Sequence, residues 1–553
     1  MLSDDQEYVD ISTIGIDQVA QTPAPLPSSS EKATVSYWLA TTAAHQLPDS
    51  LDTLPTESDT VIIGSGITGV STAYHLVTSA PSSNSPISSI TIVEARDFCS
   101  GATGRNGGHL SEASALAYTE IAANPNHLLG TRASGLSADD IKVESAKVVE
   151  QILKFEKRTA DAIRSLIAEE KVEEEIGFTD DRNWHLCFEH AEVDAFEKSL
   201  AQAAQHDGLR KFVEQVRRVP KEEVNRRMDK PVGIVGVYEI PGATLHPRAL
   251  VSVIYRRAER IARDKGISLN VITHSPVVGI TSSSPELTTL TTVKGDINAK
   301  FVVHATNGYT SHLLPHLSSS DNGIIPTRAQ VVAVAPTQRK HLWGMALSAG
   351  GGYEYGHQRP TSESSSLSGA PGAPLYIFGG GREYADGREW GVADDTSLNS
   401  QVSSFLHTYL SNTFPRSYSG EEVQMEWTGV MGYTKSKDPL VGPVWKVQEG
   451  ARKGREYLAA GYSGHGMTRA FGCAQVVADM VWADSNRVAW RKKEDFPTCY
   501  LTAGAKEEGM WLKEWSADKV QEGEGKGSNV GNDSFQARPA SGSTSAINCC
   551  NVV

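Results

Sequence analysis

Cysteine is scarce in this sequence. Its six cysteines are Cys99, Cys187, Cys473, Cys499, Cys549 and Cys550, with no CxxC pair among them. Neither a zinc site nor a disulfide framework is expected, and no metal ligands are assigned. Long apolar runs are also missing. Without about 18 or more consecutive apolar residues, no membrane span is expected. The opening stretch, Met1 to Glu7, is acidic and lacks the apolar core of a secretory signal, so a reducing, cytoplasmic location is expected. An excess of basic residues is lacking too. The formal net charge is −14, and an acidic chain repels phosphate backbones, so nucleic acid is not an expected partner. No repeat of solenoid type occurs.

What is present suits a globular protein, with 39% hydrophobic and 21% charged residues. A chain of 553 residues exceeds what one core usually serves, so two interleaved domains are expected. Residues 1–55, rich in Ser, Thr, Pro and Asp, read as a loosely ordered, flexible arm. Residues 491–516 form a C-terminal extension, and the Gly-, Ser- and Asn-rich residues 517–553 a disordered tail. Ser79 to Ser89 and Thr361 to Pro374 read as surface-loop insertions. Between the tails, strand and helix signals alternate. Thr60 to Ile63, Ser89 to Glu94, Ser268 to Val271, Lys300 to His304, Leu375 to Phe378 and Tyr457 to Ala460 are strand-like. Val70 to Ser79, about 137–170, and Met467 to Trp482 are helical, the second with Val148, Ile152, Phe155, Ile163 and Ile167 on one face. This order argues for an α/β protein with a parallel sheet.

The most informative motif follows the first strand. Gly64-Ser65-Gly66-Ile67-Thr68-Gly69 fits G-x-G-x-x-G, a weak signal alone but a strong one between a buried strand and a helix. Gly64 permits the tight turn, Gly66 lets the backbone approach a pyrophosphate, and Gly69 lets the helix pack on the sheet. The helix N-terminus then offers N–H groups and a positive dipole end to phosphates. Glu94 ends the next strand and can accept hydrogen bonds from ribose hydroxyls. It lies 25 residues after Gly69, beyond the usual spacing of about 20, and the Ser79 to Ser89 insertion accounts for the surplus. The run Thr103-Gly104-Arg105-Asn106-Gly107-Gly108-His109 can present backbone N–H groups at close range, with Arg105 adding a fixed positive charge that suits a flavin dinucleotide better than a nicotinamide one.

With these motifs the chain resembles the D-amino-acid-oxidase-like superfamily of FAD-dependent amine and amino acid oxidases. It is most similar to the branch holding gamma-glutamylputrescine oxidoreductase and sarcosine- and glycine-oxidase-like enzymes. The resemblance rests on Ala102 to Gly108, Gly242 to Pro247, Phe301 to Gly308, Trp427 to Thr434 with Asp438 to Gly442, and Ala459 to Met467, and covers about 55–490. It implies an α/β (α+β overall) fold. A Rossmann-like FAD-binding domain would be drawn from 56–115, 240–330 and 420–490. A discontinuous antiparallel-sheet substrate domain would come from 116–239 and 331–419. Cofactor contacts are expected at the first motif, at Glu94, Ala95 and Arg96, at Thr103 to His109, at Val277, Ala305 and Thr306, and at Gly464, His465, Gly466, Met467 and Thr468. Some members attach FAD through a Cys at the position of Met431, so non-covalent FAD is expected here.

The reaction implied is removal of a hydride equivalent from the carbon beside an amine, leaving an imine that water hydrolyses. The substrate would be a small amine or amino acid, and the electron acceptor O2 or another carrier. Arg382, after Gly379-Gly380-Gly381, could hold a substrate carboxylate. Tyr355 and His357 are candidate pocket residues. Glu383 could pair with a second amine. His465 is a candidate base, although a structural role beside the cofactor is favoured. An amine dehydrogenase, a non-catalytic FAD-binding regulator and a tRNA-modifying oxidase are the alternatives, and the acidic charge argues against the last.

Overall fold

A computed structural model describes residues 15–19, 21–81, 84–284, 286–337, 342–360, 374–418, 422–446 and 451–502. The expected tail 517–553 and nearly all of the Thr361 to Pro374 insertion lie outside the described residues.

Strand Glu57–Ile63 occupies the middle of the first sheet. It pairs in parallel with Ser89–Val93 on one side and Gly295–His304 on the other. Ser268–Ile272 and Ala451–Ala460 extend the parallel order outward. Leu440–Lys446 closes one edge in antiparallel sense, and the hairpin Val277–Ser284/Leu287–Thr292 pairs onto the first half of Gly295–His304. The β-branched run Thr60 to Ile63 suits a strand covered on both faces. Ile62, Ile90, Ile92 and Val303 pack in one core with residues of helices Ile67–Ser79, Pro247–Asp264 and Gly466–Ser485. Their sequence neighbours Val61, Ile63, Val93 and Val302 pack in another with Leu290 and Ile297 of the hairpin side. That alternation is the period of two expected of strands.

The long helix forms over Ala138–Glu170. The Ser137 hydroxyl accepts from the Asp140 N–H at its start, and Lys171 ends it with φ 56°. It crosses helix Gly466–Ser485 where Gly472 leaves room for Phe155 and Thr159.

The second sheet runs, in spatial order, Glu422–Tyr433, Ile325–Ala335, Tyr376–Gly379, Glu354–Gln358, Ala346–Ala349, Asn183–Cys187, Gly236–Ile240 and Arg217–Arg218. It is antiparallel apart from the pairing of Ala346–Ala349 with Asn183–Cys187. Helix Ser400–Thr413 covers it through Leu406 and Leu410, against Tyr376 and Phe378. The expected combination of a Rossmann-like sheet and a discontinuous antiparallel sheet is the fold observed.

Two expectations need correction. Strand Glu422–Tyr433, expected with the nucleotide sheet, pairs along its length with Ile325–Ala335, so the boundary at 330 cuts through a strand of this ladder and the one at 420 puts its two strands in different domains. The arm 1–55 is not loose over its described part. Tyr37 and Trp38 are 1% and 0% exposed, and Ile16 and Ala24 are buried. Composition suggested disorder, but two large aromatic rings bury enough apolar surface to offset the ordering of the chain around them.

A Cβ at Gly69 would strike the Gly64 carbonyl oxygen, which is backbone and cannot step aside. Gly69→Ala is therefore expected to destabilise the protein by about 1–3 kcal/mol, as overpacking does. A urea-unfolding midpoint equal to that of the unaltered protein would contradict this packing.

Candidate active site

The C-terminal ends of the parallel strands and the facing surface of the second sheet enclose a cavity of about 1320 Å³. A drug-sized ligand needs roughly 300–1,000 Å³, so this space can take a large cofactor together with a small substrate.

The first motif forms one wall. Gly64 has φ 105°, and a side chain there would meet the Ala305 carbonyl oxygen at 2.7 Å. Gly66, the N-cap of helix Ile67–Ser79, has no side chain to cap it, so Gly66, Ile67 and Thr68 bring to the cavity a helix N-terminus with only the Ile67 N–H taken by a side chain. Glu94 is fixed from both sides. Its Oε2 accepts from Ser65 N–H at 2.9 Å and Ser65 Oγ at 2.7 Å, and its Oε1 accepts from Arg96 N–H at 3.0 Å. A carboxylate has about four acceptor sites, so capacity remains for ribose hydroxyls. Thr103 Oγ1 accepts from Ile67 N–H at 3.2 Å, which joins the second glycine-rich run to the first.

Most expected cofactor residues line the cavity, including Ala95, Arg96, Asn106, Gly107, His109, Val277, Ala305 and Thr306. Ser65, Gly69, Gly104 and Gly108 do not. They support the wall from behind, Ser65 through Glu94 and Cys99 N–H, Gly108 with φ 72° under the Leu245 carbonyl. Arg105 also has a different role from the one expected. Its guanidinium donates to the carbonyls of Ser100 at 2.8 Å, Thr34 at 2.7 Å and Thr428 at 3.0 Å, and lies 3.5 Å from Asp395. It joins three chain segments while also lining the cavity. Burial lowers its pKa to about 10, so it stays protonated at neutral pH.

Helix Gly466–Ser485 brings a second uncapped N-terminus to the cavity. The buried Glu156 carboxylate anchors its first turn by accepting from Arg469 Nε at 2.7 Å, Thr468 Oγ1 at 2.9 Å and Ala113 N–H at 2.9 Å. Gly464, His465, Gly466, Met467 and Thr468 all reach the wall. The His465 ring is open to the cavity. Lack of bulk water lowers its pKa, with Glu156 opposing and Arg469 and Lys437 assisting. Burial also lowers His109 to about 4. Both rings are thus neutral at pH 7.

The second sheet supplies the opposite wall. Tyr355 lies between Gly107 and Gly379, where side chains would collide with its ring. Arg382 is buried, with its guanidinium 4.2 Å from the Trp390 ring centroid, 5.0 Å from Tyr433 and 5.1 Å from Tyr353. It donates to Tyr353 Oη at 2.9 Å and the Arg388 carbonyl at 3.1 Å. Arg382, Tyr353, Tyr355 and Tyr433 line the cavity. His357 does not. It sits behind the glycine-rich run, where Nε2 donates to the Gly107 carbonyl at 2.9 Å and the ring stacks on Trp38. As the second residue after Tyr355 it shares that face of the strand, but Gly107, Gly108 and Trp38 cover it from the cavity. Glu383 is likewise absent from this wall, and the neighbouring Glu354, pushed up by burial and by Glu383, forms a carboxyl pair with it.

Several wall residues carried no sequence signal, among them Leu26, Pro27, His185 and Ser348. Asp395, behind the wall, is completely buried and was equally silent. Met431 lines the cavity, and among the described residues no cysteine does. Two groups, His127–Asp438–Cys499 and His185–Cys187–Glu192, have ligand-type atoms within 4.8 Å of one another. In each the imidazole is already paired with the carboxylate, at 2.8 and 2.9 Å.

Comparison with known proteins agrees with this geometry. No curated protein matches. Solved structures share the fold. Glycine oxidase from Geobacillus kaustophilus is 18% identical, with a TM-score of 0.55, over 77% of this chain and 95% of its own. L-Amino acid deaminase from Proteus myxofaciens, in complex with anthranilate, is 15% identical with a TM-score of 0.55, over 83% and 96%. L-Proline dehydrogenase from P. horikoshii is 18% identical with a TM-score of 0.52, over 77% and 94%. The model of one family spans residues 59–480, and with the glycine cradle, Glu94 and the two helix N-termini in place, the chain belongs to that family, the FAD dependent oxidoreductases.

Proposed function

We propose that the protein oxidises a small amine or amino acid at the carbon beside nitrogen, using non-covalently held FAD and passing the electrons to O2. When bound, FAD accepts the hydride from that carbon, and water hydrolyses the imine left behind. The sarcosine- and glycine-oxidase-like branch is the functional analogue proposed.

The observation that carries this reading is Arg382. A guanidinium set among three aromatic rings on the cavity wall has the chemistry to bind a carboxylate by parallel hydrogen bonds. The names of the structurally similar proteins, which refer to glycine, L-proline and L-amino acids, favour a substrate bearing that group. Tyr355 bounds the space beside Gly107, where an orienting contact is needed. Neutral His109 and His465 place no cation against an incoming amine. The uncapped N-terminus at Gly466 favours negative charge developing nearby.

The direct test is anaerobic mixing with amino acids, secondary amines and polyamines while flavin absorbance is followed. Bleaching by a carboxylate-bearing amine is expected. If no amine bleaches the flavin, a non-catalytic FAD-binding role is favoured instead. Under air, peroxide should appear in proportion to amine consumed. Rapid dye reduction without O2 uptake would assign another acceptor.

Arg382→Ala should lower kcat/KM for a carboxylate-bearing substrate by about 10–100-fold, the scale of lost charge-assisted hydrogen bonds. Its carboxamide analogue should be affected far less, and equal losses would remove the assigned role. The pH profile gives a separate check. Since His109 and His465 are already neutral above pH 7, the rise in kcat/KM toward alkaline pH should follow deprotonation of the substrate amine. Two substrates of different amine pKa should shift that limb accordingly. A limb fixed near pH 6–7 for both would instead implicate an enzyme imidazole.

A further inference from the structure

Residues 15–55 precede the segment that the family model matches, yet Leu26 and Pro27 form part of the cavity wall. The chain on either side of them is fastened at separate points. On one side, Ala24 N–H donates to Ser311 Oγ at 2.9 Å, and the Ala24 carbonyl accepts from His312 Nδ1 at 3.1 Å. On the other, Ser28 Oγ donates to Asp395 Oδ1 at 3.0 Å, Asp97 N–H donates to Ser30 Oγ at 3.2 Å, and Thr34 N–H donates to the Asp395 carbonyl at 2.9 Å. Pro23, Pro25 and Pro27 alternate through the span, and proline fixes φ, so the segment between its fastenings is stiff.

The anchors say which part of the cavity is covered. Asp395 pairs with Arg96 at 2.8 Å, directly after Glu94 and Ala95 on the wall. Ser311 and His312 follow Ala305 and Thr306, and His312 and Leu313 also line the cavity. The span therefore bridges the ends of strands Ser89–Val93 and Gly295–His304, beside the acid suited to a ribose. In a dinucleotide cradle of this kind the acid marks the adenosine end.

We propose that residues 24–28 belong to the cofactor site as a fixed cover for the adenosine part of FAD, with Leu26 and Pro27 supplying its apolar contact. This rests on the FAD reading. Leu26 and Pro27 are only partly buried, so apolar surface is available to a planar base. Thr34 and Ser36, farther along the same arm, bond to Arg105 and to the Gly104 carbonyl, so the arm supports the cofactor loop from behind as well as closing its front.

The test compares FAD and FMN binding to apoprotein, since FMN lacks adenosine. Flavin fluorescence gives both affinities for the unaltered full chain and for the double variant Leu26→Ser/Pro27→Gly, with the apoprotein melting midpoint as a folding control. The variant should bind FAD about ten-fold more weakly, with FMN affinity and midpoint unchanged. Unchanged FAD affinity, equal weakening of FAD and FMN, or a lowered midpoint accounting for the loss would overturn the cover. An unaltered protein that binds no FAD would instead defeat the FAD reading itself.

Discussion

Asp395 is the point on which the site depends. Its side chain is 1% exposed, and two buried guanidiniums share it, Arg96 at 2.8 Å and Arg105 at 3.5 Å. Burial opposes the charge on both arginines, and Asp395 opposes that effect. Removing the carboxylate would leave two cations uncompensated in the interior, a change of the kind that costs about 3–5 kcal/mol. The same residue receives Ser28 and Thr34 from the arm. One carboxylate thus holds together the strand end carrying Glu94, the glycine-rich run, the arm and the segment leading into helix Ser400–Thr413.

Around that anchor the cavity is built from backbone more than from charge. Two helix N-termini reach it with no cap from their own N-cap side chains, and glycines stand where a side chain would block approach. The cations nearby are held by protein partners: Arg105 by carbonyls, Arg469 by Glu156, and Arg382 by aromatic rings. Of these, Arg382 lies on the wall furnished by the second sheet, where a substrate rather than a cofactor is expected. This division lets a common nucleotide cradle accept different substrates through changes in the facing sheet.

What was legible in the sequence was local. The strand before Gly64, the helix after Gly69 and the acid at Glu94 are specified by neighbours in the chain, and they formed where expected. The helix Ala138–Glu170 was equally readable from its periodicity. The misreadings all involve distant partners. Arg105 borders the cavity, but its guanidinium is tied to Thr34 and Thr428. His357 lies behind the wall because the glycine-rich run and Trp38, distant in the chain, cover it. The arm folds because Trp38 inserts beside His246 and His357. Asp395 had no motif around it, since its importance comes from two arginines nearly 300 residues earlier in the chain, Arg96 and Arg105.

The most direct measurement is the flavin content of the purified full-length protein, from its visible spectrum and from the nucleotide released by acid precipitation. If the cradle is occupied as its geometry indicates, the protein shows flavin absorption bands and acid releases one equivalent of intact FAD. A colourless protein that also fails to take up added FAD would contradict the central claim.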